Sequence, residues 1–146
     1  MHIWHDDFTL DDLNRRTAGS LLGHLGIVYT ELGADYLSGT MPVDTRTIQP
    51  TGILHGGASV VLAETLGSTA AGLVIDNRAF FCVGQSISAH HLRAVREGVV
   101  TGRAEPVHIG RRSQVWDIRI VDGTGRLVSA SRLTMAVLER SGDVAP

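Results

Sequence analysis

The stretch LHGGASVVLAETLGSTAAGLVI, residues 54–75, joins a polar turn to a long apolar run and sets one histidine and one glutamate in it. From Gly56 to about Ile75, residues Ala58, Val61, Leu62, Thr65, Leu66, Thr69 and Leu73 recur at steps of three and four, the spacing of a helix face. The positions between them are mostly Ala, Gly and Ser, so the helix is apolar nearly all round, as buried helices are. Two glycines in succession make a poor helix interior but a good close-approach site at its beginning. The stretch therefore predicts one long core helix.

On the N-terminal side, Thr9 can cap a short helix running to Arg16, with Asp11 and Asp12 near its positive end. HLGIVYTELG and YLSGTMPV read as two strands joined by a Gly33-Ala34-Asp35 hairpin. After DNR, residues 76–78, the pattern is strand to the end: Phe80 to Val95, Gly98 to His108, Ser113 to Val121 and Arg126 to Leu138. In the third of these, Trp116, Ile118 and Ile120 share one face, and Asp117 and Arg119 the other. VDGTGR is a hairpin turn. One buried helix against five or six mostly antiparallel strands is an α+β architecture.

Bulk properties narrow the function. At 146 residues and 43% hydrophobic content the chain fits a single domain with one core. Its one cysteine, Cys82, cannot form an intrachain disulfide, and MHIWHDDFTLDD has no apolar stretch of the secretory kind, so a cytoplasmic setting is expected. No run approaches a membrane span. With net charge −2 and no basic cluster longer than Arg111-Arg112, nucleic acid binding has little electrostatic support. All 13 basic residues are arginine. Without lysine there is neither a Schiff-base cofactor site nor a P-loop.

A glutamate in so apolar a helix costs several kcal/mol of desolvation unless it is partnered or reaches a cleft. Glu64 is either a carboxylate meeting an arginine at a subunit contact or a reacting group. His55 and Glu64 lie nine residues apart, about 13 Å along the axis and half a turn out of phase. One chain cannot bring them together; if both serve one site, that site lies between two chains. Glu64 and Ser68, four apart, share a face. At the helix start Gly56 and Gly57 leave amides uncovered at the positive end of the dipole, where a developing oxyanion is held. The plain alternative is a turn that needs glycine for backbone reasons. The histidines lack metal-site spacing, and an adjacent pair such as His90-His91 points to opposite faces of a strand, so no metal is expected. His2, His5 and His24 read as surface or packing residues.

MPVDTRTIQPTGILHGGASVVLAETLGS, residues 41–68, resembles the signature of hotdog-fold acyl-CoA thioesterases of the PaaI-like group. Within that group the chain is most similar to the 1,4-dihydroxy-2-naphthoyl-CoA hydrolases and the enterobactin proofreading thioesterases, from IWHDDFTLDDLN to SRLTMAVL. The resemblance implies an antiparallel sheet wrapped around a central helix, with two subunits sharing a continuous sheet and commonly doubling to a tetramer. It implies Glu64 as the catalytic carboxylate, nucleophile or base for water. Gln49 and His55 would orient the thioester, the Gly56 N–H would hold the oxyanion, and Ser68 would help near the acyl group or water. No cofactor is implied.

GQSISAHHLRAV and PVHIGRRSQ match the family's coenzyme A segments, which makes Gly84, His91, Leu92, Arg93 and Ala94 candidates, with His108, Ile109, Gly110, Arg111, Arg112 and Ser113. On the residues alone, HIGRRS is either a phosphate contact or a solvated hairpin end. His91 aligns with the family histidine; the place of His90 is open. The implied substrate is an aromatic acyl-CoA, with misacylated carrier protein as the alternative and hydration or dehydration of an acyl thioester a remoter one. Val60, Ser68, Thr69 and Gly72 are candidates for shaping the acyl pocket.

Overall fold

The computed structural model describes residues 1–141. Nine elements follow in order: α1 (Leu10–Arg15), α2 (Leu21–Leu25), β1 (Val28–Leu32), β2 (Leu37–Val43), α3 (Gly56–Leu73), β3 (Phe80–His91), β4 (Gly98–Ile109), β5 (Ser113–Val121) and β6 (Leu127–Glu139). The six strands form one antiparallel sheet in the order β1-β2-β4-β5-β6-β3. This sheet curls around α3, the hotdog arrangement that the resemblance implies.

The core sits between α3 and the inner face of the sheet. Leu62, Ala63, Leu66, Ala70 and Ala71 of α3 are wholly buried, as are Trp116, Ile118 and Ile120 of β5. Small residues let the layers close up. Gly39 of β2 and Gly102 of β4 stand opposite each other, and Leu66 fills the notch they leave. A methyl at Gly102 would lie 2.6 Å from Leu66 Cδ1. Buried Gln114 satisfies its amide by donating to the Ala71 carbonyl at 3.3 Å and accepting from Trp116 Nε1 at 2.9 Å. At the far end of α3 the His5 N–H donates to the Leu73 carbonyl, so the N-terminal segment closes the helix.

Several boundaries differ from the sequence reading. The segment read as a strand from His24 opens instead with α2, because Gly26 at φ 71° ends a helical turn and the strand begins only at Val28. β3 stops at His91, not Val95: the N–H groups of Leu92 and Arg93 turn to the Val128 carbonyl, and the Val95 carbonyl accepts from Leu54. α3 ends at Leu73, not Ile75. The expected cap of α1 is present, with the Asp12 N–H donating to Thr9 Oγ1 at 3.1 Å. Both hairpin turns form: the Gly33 N–H donates to the Tyr36 carbonyl, and the Asp122 N–H to the Arg126 carbonyl.

No helix of the described residues is long and apolar enough to cross a membrane. Two strands bound the sheet, β1 and β3. Along β3 the stretch Val83 to Ser86 is exposed, with a register shift between Gly84 and Ser86.

Candidate active site

His55 is the N-cap of α3, and its side chain does the capping: Nδ1 accepts from the Gly57 N–H at 2.8 Å. The Gly56 N–H has no acceptor among the described residues. Gly56 lies under the ring of His91, which arrives from the end of β3; a methyl there would stand 2.8 Å from His91 Nε2. Around this point is a cavity of about 370 Å³, lined among others by Gln49, Gly56, Ser59, His91, Arg93 and Val128. Leu92 and Ala94 complete that wall. The Gln49 amide reaches Thr51 Oγ1 at 2.8 Å. Seven of the sequence candidates, counting His55 at its rim, thus converge at the positive end of α3, where backbone amides and the helix dipole favour negative charge.

His90 and His91 part company, as adjacent strand residues must. His91 faces inward over Gly56, whereas His90 lies with Ser88, Asp117, Arg119 and Arg132 on the outer face.

Glu64 and Ser68 lie about two and three turns further along α3. Glu64 is half-buried, and no hydrogen bond or ion pair among the described residues involves its carboxylate. Its Oε1 rests directly against Gly84 on edge strand β3, where any side chain would collide with it. Gly84, a coenzyme A candidate by motif, is thus also the neighbour of the carboxylate. Ser68 Oγ approaches Met135 Sδ at 3.6 Å. Beyond Ser68 a second cavity, about 380 Å³, is walled by Phe8, Leu13, Tyr29, Thr69 and Gly72 with Arg16 and Asn77 at its edge. Tyr29 Oη and Thr69 Oγ1 share a hydrogen bond of 2.7 Å, and burial pushes the Tyr29 phenol above its usual range.

HIGRRS forms the β4–β5 turn, closed by the Gly110 N–H donating to the Ser113 carbonyl at 2.9 Å. It lies at the opposite end of α3, where Ile109, Gly110, Arg111 and Arg112 line a cavity of about 500 Å³ with His5 and Phe80. His108 stacks beside Gly110. Arg111 and Arg112 make no ion pair among the described residues. The candidates of one chain thus fall at the start, middle and end of an 18-residue helix about 27 Å long.

Sequence reasoning missed Met135 and Ser59 beside these groups. Nothing in their local pattern separates them from ordinary core residues; only the pairing of β6 with β3 and the phase of α3 bring them in. Burial pushes the thiol of Cys82 up to about 11, so it is unreactive at neutral pH.

A six-stranded sheet around one helix, with an open amide at the helix start and an unpartnered carboxylate midway, is the framework of an enzyme acting on thioesters. The chain belongs to the thioesterase superfamily, whose family model matches residues 51–129. It is 54% identical to the proofreading thioesterase EntH of Cronobacter sakazakii over 93% of this chain and 98% of that protein. It is 50% identical to the 1,4-dihydroxy-2-naphthoyl-CoA hydrolase of Escherichia coli over 93% of this chain and 99% of that one. Among solved structures, a thioesterase of Haemophilus influenzae superposes with a TM-score of 0.94 at 45% identity, covering 97% of this chain and 99% of its own. The enzyme is a thioester hydrolase.

Proposed function

We propose that the chain hydrolyses an aromatic acyl-CoA thioester, 1,4-dihydroxy-2-naphthoyl-CoA or a related aryl-CoA, in a site shared by two subunits. One observation carries the reading. The Glu64 carboxylate lies against the exposed edge strand without a partner among the described residues, while the open Gly56 amide at the helix start is about 12 Å away along the axis. Antiparallel pairing of two copies along β3 reverses the second helix and carries its start toward Glu64 of the first. The same reversal brings the HIGRRS turn of one subunit toward the partner's cavity at Gly56 and His91. The arginines there suit the phosphates of coenzyme A.

In the reaction the thioester carbonyl accepts from Gly56 N–H, which holds the oxyanion as it forms. Glu64 either takes a proton from water, whose oxygen adds to the carbonyl carbon, or adds itself to give an anhydride that water then cleaves. In both routes the C–S bond breaks, the thiolate takes up a proton, and free acid and CoA result. Ser68 sits beside the acyl group, and the cavity at Thr69 and Gly72 receives its far end. The 54% identity to a proofreading thioesterase favours a second reading, an acyl or aryl carrier protein as donor, since both donors present the same pantetheine thioester.

A thiol-release screen over a panel of acyl-CoAs and an acylated carrier protein tests this. Aryl-CoA should turn over fastest, and Glu64→Ala should lose at least about 10³-fold in kcat. Mixed dimers of Glu64→Ala with His55→Ala should regain activity, because one of their two sites is intact. Verified heterodimers without activity would sink the shared site.

A further inference from the structure

We infer that Tyr29 and Thr69 form a hydroxyl pair that reads an oxygen on the far part of the acyl group, and so select oxygenated aromatic acyl groups over bare hydrocarbon ones. The inference deepens the aryl-thioester reading and rests on it for which end of the substrate enters the cavity beyond Ser68, about 380 Å³. Phe8, Leu13, Leu22 and Leu73 give that cavity an apolar wall. The two hydroxyls interrupt it, and Tyr29 is only 4% exposed. Its fold fixes the phenol there. β1 is an edge strand, and at Tyr29 one side chain takes both of its outward backbone groups. Asn14 Oδ1 accepts from the Tyr29 N–H at 2.8 Å, and Asn14 Nδ2 donates to the Tyr29 carbonyl at 2.9 Å. Asn14 thereby ties the strand to α1, which supplies Leu13 to the same wall. The β1–β2 register also shifts between Tyr29 and Glu31, an irregularity of the kind that re-aims a side chain.

Two hydroxyls bring two protons, and the single 2.7 Å bond between Tyr29 Oη and Thr69 Oγ1 uses one of them. Neither oxygen makes another hydrogen bond among the described residues. Whichever of the two donates, the other keeps an O–H without an acceptor. Burial pushes the Tyr29 phenol above its usual range, so it keeps its proton at neutral pH. Water can meet the spare donor until an acyl group displaces it. A hydrocarbon ring expels that water and leaves the donor unpaired in an apolar wall, which is costly. A ring carrying a hydroxyl or carbonyl oxygen takes the water's place. The pair therefore discriminates by what it would be left without.

Tyr29→Phe combined with Thr69→Val removes both oxygens and changes the shape of the wall very little. Two measurements on the full-length protein read the pair. One is kcat/KM for matched thioesters with and without ring hydroxyls: 1,4-dihydroxy-2-naphthoyl-CoA against 2-naphthoyl-CoA, and hydroxybenzoyl-CoA isomers against benzoyl-CoA. The other is calorimetric binding of the corresponding free acids, which needs no turnover. We expect the wild type to favour the hydroxylated member by about tenfold or more in both, and the double variant to lose that preference. If thermal melting shows the double variant unfolded, Tyr29→Phe alone should still cut the ratio by about threefold or more. Equal or unmeasurable affinities for the two acids in the wild type would overturn the inference, as would a preference that survives the loss of both hydroxyls. A wild-type chain that releases no thiol from any aryl-CoA would instead remove the aryl-thioester reading, while acid binding still decides whether the pair reads an oxygen.

Discussion

At the scale of single residues, the absence of a side chain matters as much as the presence of one. Gly84 gives the Glu64 carboxylate its seat, and Gly56 gives His91 its own. Gly84→Ala should push Glu64 out of place and lower kcat by 10-fold or more, since a misplacement of about 1 Å near reacting groups costs on the order of 10²-fold. Because Gly84 is exposed, the melting temperature should change little; a large fall would mean that the glycine serves the strand and not the carboxylate. Glu64 and His55 were legible from the sequence because a charge in an apolar helix and a histidine before paired glycines each need a reason. Gly84 was legible only as a motif member. Its contact joins residues 20 positions apart, and no local pattern records it.

At the scale of elements, α3 sets out three parts of the proposed site along one axis: amides to hold an anion at its start, a carboxylate midway, and a wall for the acyl group beyond. Gly72 faces open space on that wall, with nothing within 4 Å of where a Cβ would stand. Gly72→Leu should favour the helix by nearly 1 kcal/mol while filling the cavity of about 380 Å³. Naphthoyl-CoA turnover is then expected to fall by at least tenfold, with small acyl groups spared, in a protein no less stable. Equal losses for all acyl groups would place the acyl group elsewhere. Leu66 tests the packing of the same helix: Leu66→Ala empties the Gly39–Gly102 notch and should cost about 2–5 kcal/mol in chemical denaturation.

At the scale of the whole molecule, the proposed assembly bears on activity and the surface charge on stability. If the site is shared, specific activity should fall on dilution in step with the monomer fraction seen by sedimentation; constant activity in verified monomers would overturn it. The surface aspartates set the acid limit of stability. Side-chain and backbone hydrogen bonds from Arg46 hold Asp44 at about 2, and those of Arg132 and Thr124 hold Asp117 and Asp122 below the usual carboxylate range. Their folded pKa values lie below the unfolded value near 3.8, so their stabilisation is complete above about pH 4 and is lost as pH falls through the folded values. The Asp44 and Asp117 side chains are 40% and 43% exposed, so solvent screening keeps their contributions small, whereas the Asp122 side chain is only 9% exposed. Melting temperatures should be flat above about pH 5 and decline toward pH 2.

The sequence by itself determined the long buried helix, most strand positions and both hairpin turns, and it singled out the residues on which the proposed chemistry centres. Those are local matters: periodicity, capping and turn chemistry act over a few residues, and a buried charge is conspicuous wherever it sits. Only the tertiary structure decided that α2 ends where a strand was expected, that His91 and not His90 covers Gly56, and that Glu64 rests on Gly84. It also separated HIGRRS from the helix start by the length of α3. Such choices depend on strand register and on which strand lies at the edge, and both are set by the packing of the whole sheet around α3, which no short window of residues contains.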